Sequence, residues 1–492
     1  MLAGVVMALV ALVADAPGDL DPRGMRVLGV AILMATLWIT EALPIPVTSL
    51  LPLLLFPLLG VLPSDLVARE YANDLIYLFF GGFFLALALE RWNLHRRCAL
   101  RVLLLFGTRP SRMILGVMFA VALLSMWISN TATALMMLPI CLAIIDQVGE
   151  HLPDDRTRRR FGISLLLAMA YGANVGGMGT PIGTGPNGIF LRLVDAGLRP
   201  TFASWMMVAI PLVVVFLLVI WLILTRVLFR LPDSVDGGDV SFVRERLDEM
   251  GPMSVGERRV LGIFAFTVLA WITRRDLDLG SLTIPGWVSG MQWLGVDWLV
   301  SGAKSGIGDS GVSILAVILL CAVRSEGKPL MTWEQAAKIP WGMLLLLGGG
   351  FALARGFQVP MDSSSGQSLS VWIGERLSGA ESLPPVLLIG VVCLVMTFLT
   401  EITSNTATCS VTLPILITMG TAEESVLICL AATFSASCAF MLPVATPPNA
   451  IVFASGRFSI PEMMRAGFFI NLVGVVLITA CICTLGRWVL LS

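Results

Sequence analysis

The chain has 492 residues, 57% of them hydrophobic and 13% charged, with a formal net charge of −1. Soluble domains carry about 25% charged residues and nucleic-acid binders a basic surface, so the composition excludes a soluble globular protein and implies no nucleic-acid partner. Nine cysteines show no CxxC or other metal spacing, and most lie in apolar segments, as do Cys393, Cys429 and Cys481, where they read as small core hydrophobes.

A membrane-crossing helix needs roughly 20 apolar residues. Hydropathy predicts spans near residues 2–14, 25–41, 46–62 and 75–90. The first run, Met1–Ala14, lacks a basic flank and an A-x-A cleavage site and reads as a retained helix rather than a signal peptide. An apolar stretch at 113–149 is then interrupted by Ser129-Asn130-Thr131, and one at 161–198 by a Gly/Pro-rich break. A span at 205–229 closes a first unit, residues 1–230. Residues 231–257 form a charged loop with a short surface helix expected at Val240–Met250. The second unit, 258–492, has spans near 258–273, 311–323, 341–357 and 467–490. Its interrupted stretches are 384–419, around Ser404-Asn405-Thr406, and 425–457, with a second Pro-rich break.

Charge places the loops. Arg109 and Arg112 precede the first interrupted stretch, and Arg156, Arg158, Arg159 and Arg160 follow it, so both ends are expected on the cytoplasmic side. That makes 113–149 a re-entrant hairpin with Ser-Asn-Thr at its tip. The second stretch is flanked by Asp362, Glu375, Glu381, Glu423 and Glu424, which places both its ends outside. The expectation is an all-α polytopic membrane protein with about eleven spans, two opposed hairpins and two broken helices. The N-terminus is inside and the C-terminus outside. Arg274 and Arg275 fall on the outer side of this scheme, beside Asp276 and Asp278.

The two units repeat. Ser129-Asn130-Thr131-Ala132-Thr133 matches Ser404-Asn405-Thr406-Ala407-Thr408, and each reaches a Leu-Pro-Ile at the same spacing, Leu138–Ile140 and Leu413–Ile415. Gly81–Ala86 resembles Gly349–Ala354, and Thr180–Asn187 aligns with Leu442–Asn449. Three motif pairs in one order mean a duplication, and opposed hairpins make it inverted. Paired interrupted segments point to the midplane site of a transporter.

Non-helical backbone at membrane depth is tolerated only inside protein or against a cavity. Four breaks free carbonyl oxygens there, and Ser, Thr and Asn add neutral oxygens of the kind that hard cations take. An alkali cation fits Ser125, Ser129, Asn130 and the carbonyl near Gly183. The mirror set is Thr400, Thr403, Asn405 and the carbonyl near Ala445. A helix N-terminus at each tip favours an anion. No Arg or Lys lies within either hairpin or broken-helix core, so a dianion there needs co-bound cations. Other motifs have blander readings. Gly81-Gly82 and Gly349-Gly350 suit close helix packing. Glu401 has Met126 as its counterpart and suits a structural role over a proton site. His95 and His151 fall in expected solvated loops. Gly306-Ile307-Gly308-Asp309 matches the GxGD of intramembrane aspartyl proteases, but no tyrosine precedes a second Asp.

The paired Ser-Asn-Thr motifs, with the breaks Thr180–Asn187 and Ala445-Thr446-Pro447-Pro448-Asn449, resemble the divalent anion:sodium symporter family, the sodium-coupled di- and tricarboxylate transporters and their sulfate-transporting relatives. Leu37–Pro44 and Ile339-Pro340-Trp341-Gly342 support the resemblance, which runs almost the whole chain. It implies an eleven-helix, two-hairpin homodimer of the plasma (inner) membrane, with a scaffold and a moving part that work as an elevator. It implies Ser129, Asn130, Thr131, Ser404, Asn405 and Thr406 as carboxylate contacts, with Thr446 and Pro447 nearby. One sodium is implied at Ser125, Ser129, Asn130 and Gly183, another at Thr400, Thr403, Asn405 and Ala445, and no organic cofactor. Gly185, where many members carry Pro, and Met178-Gly179, where Thr-Ala or Ile-Ala is common, loosen the first break. The expected activity is sodium-coupled import of a C4-dicarboxylate such as succinate, malate or fumarate. The alternatives are sodium-independent dicarboxylate exchange and sodium:citrate or sodium:sulfate symport. A channel would want a continuous hydrophilic lining, which two hairpin plugs do not offer.

Overall fold

The structure is a computed structural model that describes residues 1–107, 109–195, 197–232, 241–278, 283–293, 307–360, 366–377 and 383–491. α1 (Leu2–Val13) packs on α2 (Pro22–Thr40). The span predicted at 46–62 is instead two short helices, α3 (Ile45–Thr48) and α4 (Leu51–Leu58). Pro44, Pro46, Pro52 and Pro57 remove backbone donors throughout this stretch, which favours short pieces. α5 (Ser64–Glu70) leads to α6 (Asp74–Arg91), whose first turn is capped by the Asn73 side chain accepting from the Leu75 N–H.

Hydropathy does not predict α7 (Leu94–Phe106). Arg96, Arg97 and Arg101 lower its mean, yet Leu94, Leu100 and Leu103 are buried along one side. His95 is therefore not in a solvated loop. It lies in the first turn of α7, half-buried, with Nδ1 3.0 Å from the Leu89 carbonyl. His151 is exposed at the end of a helix.

α8 (Pro110–Ser125) and α9 (Asn130–Glu150) pack together across a turn. α10 (Asp155–Gly176), capped by Asp154, runs into a 3-10 turn at Gly177–Gly179, and α11 (Gly185–Leu193) follows after a gap. α12 (Phe202–Leu222) starts in a Thr201–Ser204 capping box and ends in a π turn, Ile223–Leu228. The expected surface helix is α13 (Ser241–Glu249), followed by α14 (Val255–Ile272) and α15 (Trp287–Trp293). Next come α16 (Asp309–Ala322), α17 (Trp333–Ala336), α18 (Trp341–Phe357) and α19 (Leu369–Leu377). A similar succession of helices follows: α20 (Pro385–Thr400), α21 (Asn405–Leu416), α22 (Ala422–Ser435) and α23 (Pro447–Phe453). α24 (Ile460–Cys481), with a Ser459–Glu462 capping box, ends the bundle with α25 (Arg487–Leu491). Two-residue β-ribbons pair Leu277–Asp278 with Thr283–Ile284 and Arg324–Ser325 with Lys328–Pro329.

Among the described residues, six helical segments are long and apolar enough to cross a membrane: Pro22–Thr40, Ser64–Arg91, Asn130–Glu150, Asp155–Gly179, Phe202–Leu228 and Ile460–Leu491. Leu54, Leu135, Leu269, Val395 and Val476 are large apolar side chains left exposed, a pattern that a lipid surround satisfies and water does not. α10 and α22 are the opposite case. Every residue of Phe161–Gly176 and of Ser425–Ser435 is buried. The paired glycines are packing positions, as expected. A Cβ on Gly81 would lie 2.4 Å from Ser313 Cβ, and one on Gly349 would lie 2.4 Å from the Ser49 carbonyl oxygen.

These two buried helices organise the centre. α8 and α9 pack on α10, and α20 and α21 pack on α22. After its break, each chain crosses over: α11 packs against α21, and α23 against α9 and α10. The second half of each broken helix thus belongs to the other repeat's helix pair, which brings both breaks and both tips together.

Candidate functional site

Each tip is built alike. α8 ends at Ser125, and α9 starts with Ser129 as N-cap, its hydroxyl accepting from the Ala132 N–H at 3.3 Å. The Ser125 hydroxyl lies 2.6 Å from Asn130 Oδ1 and 2.7 Å from the Ala173 carbonyl oxygen. In the second copy the Thr400 hydroxyl lies 2.6 Å from Asn405 Oδ1 and 2.8 Å from the Ala436 carbonyl oxygen. A hydroxyl has one hydrogen, which cannot serve two acceptors fully. Each cluster therefore holds three oxygens, surplus lone pairs and a single proton, an arrangement that a small cation completes.

The breaks are laced by asparagines. Asn187 Nδ2 donates to the Gly177 and Thr180 carbonyls at 3.1 and 2.8 Å. At the same offsets, Asn449 Nδ2 donates to the Ala439 and Leu442 carbonyls at 2.9 and 3.0 Å. Both asparagines are fully buried. Gly183 comes to the first cluster through Gly177. An added Cβ at Gly177 would lie 3.0 Å from Asn130 Oδ1 and 3.3 Å from the Gly183 carbonyl oxygen. Only a glycine leaves that space between two oxygens open. The repeats are tied together where Asn174 Nδ2 meets Thr446 Oγ1 at 3.1 Å and the Ala439 carbonyl at 3.3 Å.

The two breaks are braced differently. In the first, the Thr180 hydroxyl donates to the Met126 carbonyl at 2.5 Å and the Trp205 indole N–H to the Met178 carbonyl at 2.9 Å. In the second, the buried Glu401 carboxylate collects the backbone N–H groups of Phe440, Met441 and Leu442 at 2.7, 2.9 and 3.1 Å. It also accepts from Asn471 Nδ2 at 2.8 Å. Successive N–H groups aimed at one anion form a nest, and here the chain fills it with its own carboxylate. Glu401 is a brace, in line with the structural role read from its sequence position.

Of the residues expected at the site, Ser125 meets Asn130 and Thr400 meets Asn405, and Gly183 borders the first cluster. Ala445 and Thr446 are buried in the second break, and Pro447 is exposed in the first turn of α23. Ser129, Thr131 and Ser404 are half-buried at the tips. The Thr403 hydroxyl turns back to donate to Leu399 at 2.8 Å and meets Thr408, so this hydroxyl is not among the converging oxygens. Thr406 reaches across to the first break, where a Cβ on Gly185 would lie 2.2 Å from its hydroxyl oxygen. The departure to glycine at 185 thus permits a close approach between the repeats. A basic residue does lie past the first break, Arg192 in α11, held by Glu70 of α5 at 2.8 Å. The GxGD aspartate, Asp309, is paired with Arg274 at 2.5 Å; Gly306 lies outside the described residues. Sequence reading missed Asn174, Asn187, Asn449 and Gly177. The Pro-Asn pairs in the motifs were the available signal.

Residues 1–492 match the family described as the sodium:sulfate symporter transmembrane region. The sodium-dependent dicarboxylate transporter SdcS of Staphylococcus saprophyticus is 39% identical, over 97% of this chain and 89% of its own length. Its counterpart in Staphylococcus aureus is 40% identical, again over 97% and 89%. Among solved structures, the YdaH transporter of Alcanivorax borkumensis shares the fold at a TM-score of 0.51 and 14% identity, over 85% of this chain and 89% of that one.

Proposed function

The chain belongs to this family of divalent anion:sodium symporters, and on that premise we propose that it imports a C4-dicarboxylate such as succinate, malate or fumarate together with sodium. It is an integral membrane transporter and not an enzyme. The observation that carries the proposal is the duplicated oxygen cluster, Ser125–Asn130–Ala173 and Thr400–Asn405–Ala436.

In this reading the helix pairs α8/α9 and α20/α21 are re-entrant hairpins of an inverted repeat in an eleven-span bundle, entering from opposite faces. Their second arms, α9 and α21, present their N-termini to a dianion between the tips, with Ser129, Asn130, Thr131, Ser404, Asn405 and Thr406 as contacts. Sodium binds the two oxygen clusters first. Its charge offsets the repulsion between a dianion and the many carbonyl oxygens, so neither ligand crosses alone. The Arg156–Arg160 cluster faces the cytoplasm, and the ion pair with Asp309 neutralises Arg274 on the outer side. The N-terminus lies inside and the C-terminus outside. A dimer whose hairpins and broken helices move as one body against a scaffold completes the mechanism.

The deciding test is labelled succinate uptake into proteoliposomes under an inward sodium gradient, and with potassium in its place, each with and without internal succinate. Uptake driven by sodium alone is expected. Uptake that needs internal succinate and ignores sodium would make the protein an exchanger. No succinate uptake would move citrate or sulfate to the front.

Two substitutions separate the ions. Thr400→Ala removes one oxygen of the second cluster and is expected to raise the sodium concentration for half-maximal uptake roughly tenfold, more than that for succinate. An unchanged sodium dependence would detach this hydroxyl from cation binding. Gly177→Ala places a methyl group between Asn130 Oδ1 and the Gly183 oxygen. It is expected to weaken sodium activation by an order of magnitude or more, and wild-type activation would show that the space holds no ion.

A further inference from the structure

A second polar site lies outside the paired clusters. Where the N-terminus of α10, the end of α12 and the N-terminus of α24 come together, there is a cavity of ≈ 280 Å³. Four arginines line it: Arg156, Arg159 and Arg160 from α10, and Arg465 from α24. Glu462 is the acid in the lining, and it is held by Arg159 at 2.7 Å. The exposed Asp154 faces Arg156 electrostatically, and among the described residues no salt bridge joins a carboxylate to Arg160 or Arg465. The lining thus gathers an excess of guanidinium charge over carboxylate, with Arg160 half-buried and Arg156 and Arg465 exposed. Such a cluster is destabilised by its own repulsion and stabilised by an anion that takes several N–H donors at once, as a phosphate does.

The rest of the lining is apolar. Ile163 lies two turns into α10, and Leu228 and Phe229 form the end of the π turn on α12. From there the exposed face of α12 continues through Val227 and Leu222, 63% and 45% exposed, beside α24, which packs on α12. A free anion has no use for such a track, and an acyl chain does. The cavity also sits at the end of the bundle that carries the arginine run, the side on which basic residues meet the cytoplasmic leaflet.

We propose that this cavity holds the phosphate group of an anionic phospholipid, with one acyl chain lying along the α12–α24 face. The guanidinium groups of Arg156, Arg160 and Arg465 take the phosphate oxygens, and the Arg159–Glu462 pair holds α10 and α24 at the right separation. α10 is the helix whose far end supplies Ala173 and Asn174 to the transport site, so the lipid anchors the helix that bears it. The site stands whether the transported anion is a dicarboxylate, citrate or sulfate.

Native mass spectrometry of the full-length protein, loaded with phosphatidylglycerol or phosphatidylcholine, tests this. Phosphatidylglycerol adducts are expected to persist at collision energies that strip phosphatidylcholine. In Arg160→Gln/Arg465→Gln their apparent affinity should fall roughly 30-fold, for two charges removed. Inorganic phosphate at matched ionic strength should fail to displace the lipid. Equal retention by the double variant, no preference for phosphatidylglycerol, or displacement by phosphate would each overturn the proposal, the last by making the cavity a free-anion site. Should the glutamine variant not fold, Arg160→Lys/Arg465→Lys keeps the charge and loses the forked geometry. It is expected to keep the preference for phosphatidylglycerol at reduced strength, and an undiminished affinity would count against guanidinium contacts.

Discussion

Replacing Asn130 or Asn405 by alanine is expected to cut sodium-driven succinate uptake by about two orders of magnitude, with the protein still inserted in the membrane. Each asparagine supplies the oxygen 2.6 Å from the tip hydroxyl and stands in the first turn of the second arm. Its loss removes one oxygen from a cluster of three and strands the others at a buried position. A hydrogen bond or ligand to a charged group is worth about 1.5–3 kcal/mol, and the upper end corresponds to roughly 100-fold in affinity. In the proposed site both clusters are needed, so either substitution alone is sufficient. Uptake normalised to protein in proteoliposomes is the measurement. Wild-type rates in either variant would move the transport site away from the tips.

Glu401→Ala carries the next largest effect. It leaves the Phe440, Met441 and Leu442 N–H groups and Asn471 Nδ2 without their acceptor. Each stranded buried donor costs about 1–3 kcal/mol, and all four lie at or beside the second break. Uptake near background and a lower unfolding temperature are expected together. Glu401→Gln separates the role of the oxygen from that of the charge. Oε1 takes Phe440, Met441 and Asn471, whereas Oε2 takes only Leu442. A glutamine oxygen can keep the first three bonds, so this variant should fold and retain measurable sodium-driven uptake. If glutamine abolishes uptake while the fold and the unfolding temperature stay intact, the brace is the wrong role and a proton-carrying carboxylate becomes the better one.

Much of the architecture is legible in the chain because hydrocarbon admits few solutions. Apolar runs there become helices. The prolines and glycines at Thr180–Asn187 and Leu442–Asn449 mark where helices stop, and the repeated Ser-Asn-Thr marks the tips. Legibility fails where averaging hides an amphipathic face. α7 buries leucines on one side and carries Arg96, Arg97 and Arg101, and its mean hydropathy conceals both facts. It fails again at 46–62, where apolar content is high but Pro46, Pro52 and Pro57 cut the helix.

By itself, the sequence determined the membrane setting, and it pointed to paired motifs and to the side-chain oxygens Ser125, Asn130, Thr400 and Asn405 as a candidate site, because these are properties of residue type and spacing. Only the tertiary structure decided their partners. Every residue carries a carbonyl, so nothing in the letters singles out Ala173 or Ala436. The approach of each tip to a fully buried helix selects them. Glu401 was visible as an acid beside a motif, but its meaning depends on three amides about 40 residues later and an asparagine on α24. The crossover that seats α11 on α21 and α23 on α9 is likewise a matter of packing. The second part of each broken helix is buried against the other motif's helix pair, and that exchange brings two separate motifs into one candidate site.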